Sequence, residues 1–108
     1  MLKQGDIIKV SFDPQIGHEQ AGYRPALIVS TDKFTQYTTL ALVCPISNTK
    51  KDFPMHVDLD DRTQTTGAVF CEHIRSLDLK TRHYRYIETV PDDILYAVLE
   101  IIKLSLGL

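Results

Sequence analysis

The chain has 108 residues, 44% of them apolar, and a formal net charge of −2 from 12 Lys+Arg against 14 Asp+Glu. That is the size and composition of one globular domain over residues 1–108, too weakly charged for a coat of basic nucleic-acid-binding surface but compatible with a local basic groove. The most apolar segment, Ile94 to Leu108, is short and carries Glu100 and Lys103, which excludes a membrane-spanning helix there.

In chain order, Gly5-Asp6 reads as a turn. Ile8, Val10 and Phe12 then alternate with Ile7, Lys9 and Ser11, the two-residue period of a strand from about Asp6 to Phe12. Asp13-Pro14 stops it, because proline cannot donate to a ladder. A polar loop of about a dozen residues follows, Asp13 to Arg24, long enough to suggest a functional role. Pro25 fixes the entry to a second, buried strand from Ala26 to Ser30. A short helical turn is expected around Asp32 to Gln36. Thr38 to Ile46 is apolar and β-branched on both faces and is expected to be a central strand, although Pro45 suggests an edge or a strand end.

Ser47 to Asp52 is a polar, basic loop. Short strands are expected at Met55 to Leu59, Gly67 to Glu72 and Tyr84 to Val90, with a turn-like stretch from Asp60 to Thr66. Ile74 and Leu77 continue the apolar contacts past Glu72, and Arg75 and Asp78 are placed to pair. The last element is a helix from Asp92 to Ser105. Pro91 suits its first turn, Asp92 and Asp93 complement its positive end, and Gly107 suits its C-cap. Its apolar residues cover more than one stripe, so it is expected to be buried on more than one side, against the sheet and against a second subunit. Six or so short strands and one C-terminal helix predict a small, strongly bent antiparallel sheet or open barrel.

Cys44 and Cys71 lie in apolar runs with no CxxC pair, as expected of buried thiols in a reduced, cytoplasmic protein. His18, His56, His73 and His83 show no metal-ligand spacing, so no metal and no cofactor are expected.

Several blocks resemble one family. Gly5-Asp6-Ile7, Phe12-Asp13-Pro14, Gly17-His18-Glu19-Gln20, Gly22-Tyr23-Arg24-Pro25-Ala26-Leu27-Ile28-Val29, Thr66-Gly67-Ala68-Val69 and Ile74-Arg75-Ser76-Leu77-Asp78 follow in the order of the PemK/MazF toxins of bacterial type II toxin–antitoxin systems. The resemblance implies a mainly β fold with a C-terminal α-helix, the SH3-like barrel of the CcdB/PemK toxin type. It implies a sequence-specific, metal-independent endoribonuclease acting on single-stranded RNA. It also implies a homodimer with RNA in a groove at its interface, inhibited by a cognate antitoxin with an acidic, disordered tail. Two rivals share the fold without the chemistry: a CcdB-like toxin that poisons DNA gyrase by protein binding, and a non-catalytic binding domain.

Cleaving RNA without a metal requires help in removing the 2′-OH proton, stabilising charge on the phosphoryl oxygens and protonating the leaving 5′-oxygen. Arg24 takes the family's catalytic arginine position. Its planar fork fits a phosphate, and a guanidinium suits electrostatic stabilisation better than proton transfer. Ser47 stands where the family usually carries threonine and keeps the hydroxyl; Thr49 is the alternative if the register slips. Histidine is the residue type whose ordinary pKa lies near neutrality, so His18 suits acid–base work, RNA contact or loop packing. Glu72 aligns with an acidic position assigned to catalysis in some members, as a base or as a group orienting Arg24. Glu19 and Gln20 are expected to brace the Arg24 loop. Lys50, Lys51 and Arg75 are candidate RNA-backbone contacts, and Phe53 either stacks on a base or pins its loop to the core. Tyr84, Arg82 and Arg85 are further basic and aromatic surface.

Overall fold

The computed structural model describes residues 2–12, 22–49 and 53–108. Among these residues seven strands and two α-helices follow in the order β1 (Asp6–Ser11), β2 (Tyr23–Ile28), α1 (Asp32–Thr38), β3 (Leu40–Ser47), β4 (His56–Asp58), β5 (Ala68–Phe70), β6 (Arg75–Asp78), β7 (Tyr84–Thr89) and α2 (Asp92–Ser105), with a 3-10 turn at Cys71–His73 between β5 and β6. Every pairing is antiparallel. The sheet runs β4-β5-β3-β2-β1-β7, and β6 also pairs with β3. Among the described residues no pair joins the outer strands, so the barrel stays open.

Alternation along the inner strands divides the core in two. Ile7, Leu27, Cys44 and Ile46 point to one face and pack with Val69, Val90 and the Ile94, Leu95 and Val98 face of α2. Ile8, Val10, Phe12, Ala26, Ile28, Ala41, Val43 and Leu77 point to the other face and form a second cluster. Covering both faces explains why β3 reads as a continuous apolar run rather than an alternating one.

β3 is the hub. β2 pairs along one edge through Ala26↔Pro45, Leu27↔Cys44 and Ile28↔Val43. Along the other edge β5 pairs at Ile46 and Ser47, and β6 pairs from Leu40 to Val43. The 3-10 turn fills the gap beside Cys44 and Pro45, where Pro45 has no N–H to offer a ladder. Pro45 is therefore interior, not at an edge.

Other boundaries differ from expectation for local reasons. β2 begins at Tyr23, so Arg24 is a strand residue paired with Val10 rather than a loop residue, and Pro25 lies inside the strand. It fits there because the β2–β3 ladder starts only at Ala26, which leaves Pro25 with β1 as its only ladder neighbour. α1 runs to Thr38, into the expected start of β3. Thr31 caps it by accepting from Phe34 N–H at 3.4 Å, and Thr39 at φ 62° ends it. The strand expected from Gly67 to Glu72 stops at Phe70, and Arg75–Asp78 forms a separate strand. Pro91 is the residue preceding α2 rather than part of its first turn; its carbonyl accepts from Ile94 and Leu95 N–H. At the other end, Gly107 at φ 75° and the Leu108 N–H bond to Lys103 O close the helix in a Schellman-type cap. Asp13-Pro14 lies outside the described residues.

Candidate functional site

Strand register gathers the candidate residues around the end of β3. The β2–β3 ladder ends at Ala26↔Pro45, two residues before Arg24 on one strand and Ser47 on the other. Arg24 shares the parity of Ala26 and Ile28, and Ser47 that of Pro45 and Val43. Arg75 stands opposite Val43 on β6, with its guanidinium 5.5 Å from the Phe12 ring centroid. Arg24, Ser47 and Arg75 thus share one sheet face, from three different strands. Arg24 is exposed there.

Ser47 is 5% exposed and its hydroxyl is committed. Its Oγ donates to Thr49 Oγ1 and accepts from Thr49 N–H, both at 3.1 Å. Thr49, in contrast, is exposed. With Thr49 Oγ1 accepting from Ser47, its own proton is free to be donated outward. Gly67 completes this corner. At φ +110°, a Cβ on Gly67 would lie 2.4 Å from Ser47 O, and Leu59 N–H donates to Gly67 O at 2.9 Å. Gly67 was invisible as a site residue in the sequence; only its neighbour across the ladder reveals its role.

Glu72 sits on the 3-10 turn rather than at a strand end. His56 Nε2 is 2.8 Å from its Oε2, and His73 Nε2 is 3.9 Å from the same oxygen. His56 lies face to face with Phe70, its cross-strand partner, at 3.8 Å between centroids and 5° between planes. Phe53 meets His56 edge-on at 5.1 Å and is 43% exposed, so it pins its segment to β4. Sequence reading considered His56 only as a metal ligand; the signal for its real partner was the β4–β5 register, which no local pattern supplied.

Burial raises both thiols, with the Glu72 charge adding to the effect: Cys71 to about 12, and Cys44 further. Neither is a nucleophile at neutral pH. Arg82 Nη1 donates to Ser11 O at 2.9 Å, Arg85 is exposed on β7 opposite Lys9, and Asp78 Oδ1 accepts from Lys80 N–H. His18, Glu19, Gln20, Lys50 and Lys51 lie outside the described residues. Among the described residues no three His, Cys, Asp or Glu side chains gather as a metal site, and no helix is long and apolar enough to cross a membrane. A cavity of about 410 Å³ lined by Leu2, Lys3, Asp6, Tyr84, Tyr86 and Thr89 includes none of the candidate residues except Tyr84. Arg24 is exposed on this face, whereas Arg75 is half-buried, with Nη1 buried and its guanidinium over Phe12.

The architecture is that of a small, open antiparallel β-sheet domain with a C-terminal helix packed on one face. Residues 3–106 match the family model for the PemK-like, MazF-like toxin of type II toxin–antitoxin systems. The chain is 39% identical over 102 residues to the endoribonuclease PemK of Escherichia coli, covering 91% of this chain and 77% of that protein. It is 29% identical to the endoribonuclease EndoA of Bacillus subtilis, covering 100% and 97%. The MazF crystal structure from Deinococcus radiodurans superposes with a TM-score of 0.93 at 34% identity, covering 99% and 97%; a MazE–MazF complex from that organism gives 0.86, also at 34% identity, over 99% and 96%. The chain belongs to the PemK-like, MazF-like toxin family.

Proposed function

We propose that this chain is an endoribonuclease toxin that cleaves single-stranded RNA, mRNA included, by attack of a ribose 2′-OH on the adjacent phosphate, leaving a 2′,3′-cyclic phosphate and a 5′-OH end and so arresting translation and growth. Kinship with endoribonucleases supports the class of reaction. The observation that supports this choice of site is the shared strand parity of Arg24, Ser47 and Arg75, with Thr49 hydrogen-bonded to Ser47. Arg24 holds the scissile phosphate in two-point contact and stabilises the charge that builds on its oxygens. Ser47 orders Thr49, whose hydroxyl donates to a phosphate oxygen. Glu72, from the turn on the other edge of β3, takes the 2′-OH proton, and His18 returns one to the leaving oxygen. Arg75 follows the backbone with Lys50 and Lys51, Glu19 and Gln20 hold the Arg24 side, and no step calls for a metal.

The protein works in the cytoplasm as a homodimer, with the apolar end of α2 in the interface. Its antitoxin lays an acidic tail over the RNA face, carboxylates taking the place of phosphates near Arg24; the related MazE–MazF complexes support such a partner.

Purified protein incubated with a long single-stranded RNA in EDTA, beside Arg24→Ala, tests the reading. Discrete fragments with 5′-OH ends that vanish in the variant are expected, with a rate loss of ~10²–10³. Intact RNA, or equal cutting by both proteins, overturns it.

A further inference from the structure

The RNA-cleaving reading leaves one polar cluster unexplained. His56 has a side chain only 4% exposed, locked between Phe70 stacked on its face and Phe53 at its edge. Its backbone is fixed as well, because His56 N–H donates to Phe53 O at 3.0 Å and Cys71 N–H to Met55 O at 3.2 Å. Of the two ring nitrogens, Nε2 meets Glu72 Oε2 at 2.8 Å, while Nδ1 is buried with no hydrogen-bond partner among the described residues. An Nδ1–H here would be a buried donor without an acceptor, so the geometry favours a proton on Nε2, donated to Glu72. Glu72 Oε2 takes both histidine contacts, from His56 and, more distantly, from His73; Oε1 has none among the described residues.

A plain core contact would not need this arrangement. Phenylalanine would fill the slot between Phe53 and Phe70 without stranding a nitrogen in the core. What the imidazole adds is a donor aimed at one oxygen of a half-exposed carboxylate. We propose that His56 is a positioning residue: clamped by Phe53 and Phe70, it holds Glu72 by Oε2 so that Oε1 is presented to the RNA, fixed in direction. The aromatic clamp supplies the rigidity that a three-residue 3-10 turn lacks. Any carboxylate that receives a 2′-OH proton must be held in line with it, and this inference rests on that reading of Glu72.

Cleavage of single-stranded RNA is followed for wild type, Arg24→Ala, Glu72→Ala, His56→Phe, His56→Gln and His56→Phe/Glu72→Ala, with the thermal midpoint of each. His56→Phe keeps the ring stack and deletes the donor. It is expected to lower kcat by ~10²-fold, the scale of a misplaced reacting group, with KM little changed. His56→Gln restores an N–H at similar reach and is expected to recover much of the rate. The double variant is expected to be no slower than Glu72→Ala. Wild-type kcat in His56→Phe, losses that multiply in the double variant, or losses that track the thermal midpoint in both His56 variants would each overturn the assignment while leaving the ribonuclease reading intact. A wild type as inert as Arg24→Ala overturns both.

Discussion

Gly67 and Ser47 touch backbone to backbone: a Cβ at Gly67 would stand 2.4 Å from Ser47 O and 2.7 Å from its carbonyl carbon. Gly67 also holds φ +110°, where L-residues are strained. Gly67→Ala is therefore expected to destabilise the fold by about 1–3 kcal/mol, the scale of a strained backbone residue. Because the clash pushes on Ser47, RNA cleavage should fall further than the lost folded fraction explains. Urea unfolding beside a cleavage assay at a temperature where the variant is folded checks both. Full activity per folded molecule would separate Gly67 from the site.

The Ser47 hydroxyl is a brace for Thr49, with both of its 3.1 Å contacts going to that residue. Ser47→Ala removes an acceptor from Thr49 N–H and is expected to cost about 0.5–1.5 kcal/mol, the net worth of a hydrogen bond. Thr49→Val deletes the outward donor and also the acceptor of the buried Ser47 hydroxyl. It is expected to cost about 0.5–1.5 kcal/mol in urea unfolding and to slow RNA cleavage beyond what the lost folded fraction explains. If Thr49→Val cuts at the wild-type rate, Thr49 is not the donor.

Arg24→Lys keeps the charge and loses the planar fork. Its activity is expected to fall between wild type and Arg24→Ala, with folding stability unchanged within about 0.5 kcal/mol because the side chain is exposed. A lysine variant as active as wild type would show that a point charge suffices.

Glu88 ties β7 to the 60–66 segment. Its carboxylate accepts from Gln64 N–H at 3.0 Å, Thr65 N–H at 2.8 Å and Thr65 Oγ1 at 2.7 Å. Partial burial pushes its pKa up, but these three bonds together outweigh it and leave the value below the ordinary 4.5. A carboxyl whose folded pKa is depressed stabilises the protein above its unfolded pKa and loses that contribution as pH falls through the folded value. The stability gap between wild type and Glu88→Gln should therefore be constant from pH 7 to about 5.5 and shrink below about 4.5. Asp60 and Asp93, both lowered by hydrogen bonds from Arg62, titrate in the same direction. Urea midpoints measured against pH check this; a gap that widens in acid would contradict it.

The end of α2 leaves Leu104, Leu106 and Leu108 64%, 69% and 74% exposed. Burying one leucine contributes roughly 1.5–3 kcal/mol, so a Leu104→Glu/Leu108→Glu variant is expected to weaken a dimer by at least about 10-fold, since 1.4 kcal/mol is tenfold in affinity. Sedimentation at micromolar concentration reads the result. A 12.3 kDa monomer for the wild type would remove the dimer altogether.

Two-residue alternation from Ile7 to Phe12, and the spread of Ile94, Leu95 and Val98 along the last segment, made β1 and α2 readable from sequence, because burial period is a local property. The order of the motif blocks carried the family, and with it Arg24 and Ser47 as candidates. Tertiary structure alone decided which elements carry those residues and which neighbours they have. Arg24 extends β2 because Val10 is across from it, a pairing between segments that no window along the chain contains. The 3-10 turn breaks the β5–β6 run where Pro45 withholds its N–H, and that break places Glu72. His56, sixteen positions from Glu72 in the chain, reaches it only because the β4–β5 register stacks it on Phe70. Side chains are chosen locally, but hydrogen-bond partners are chosen by register, and register is settled only when the whole sheet packs.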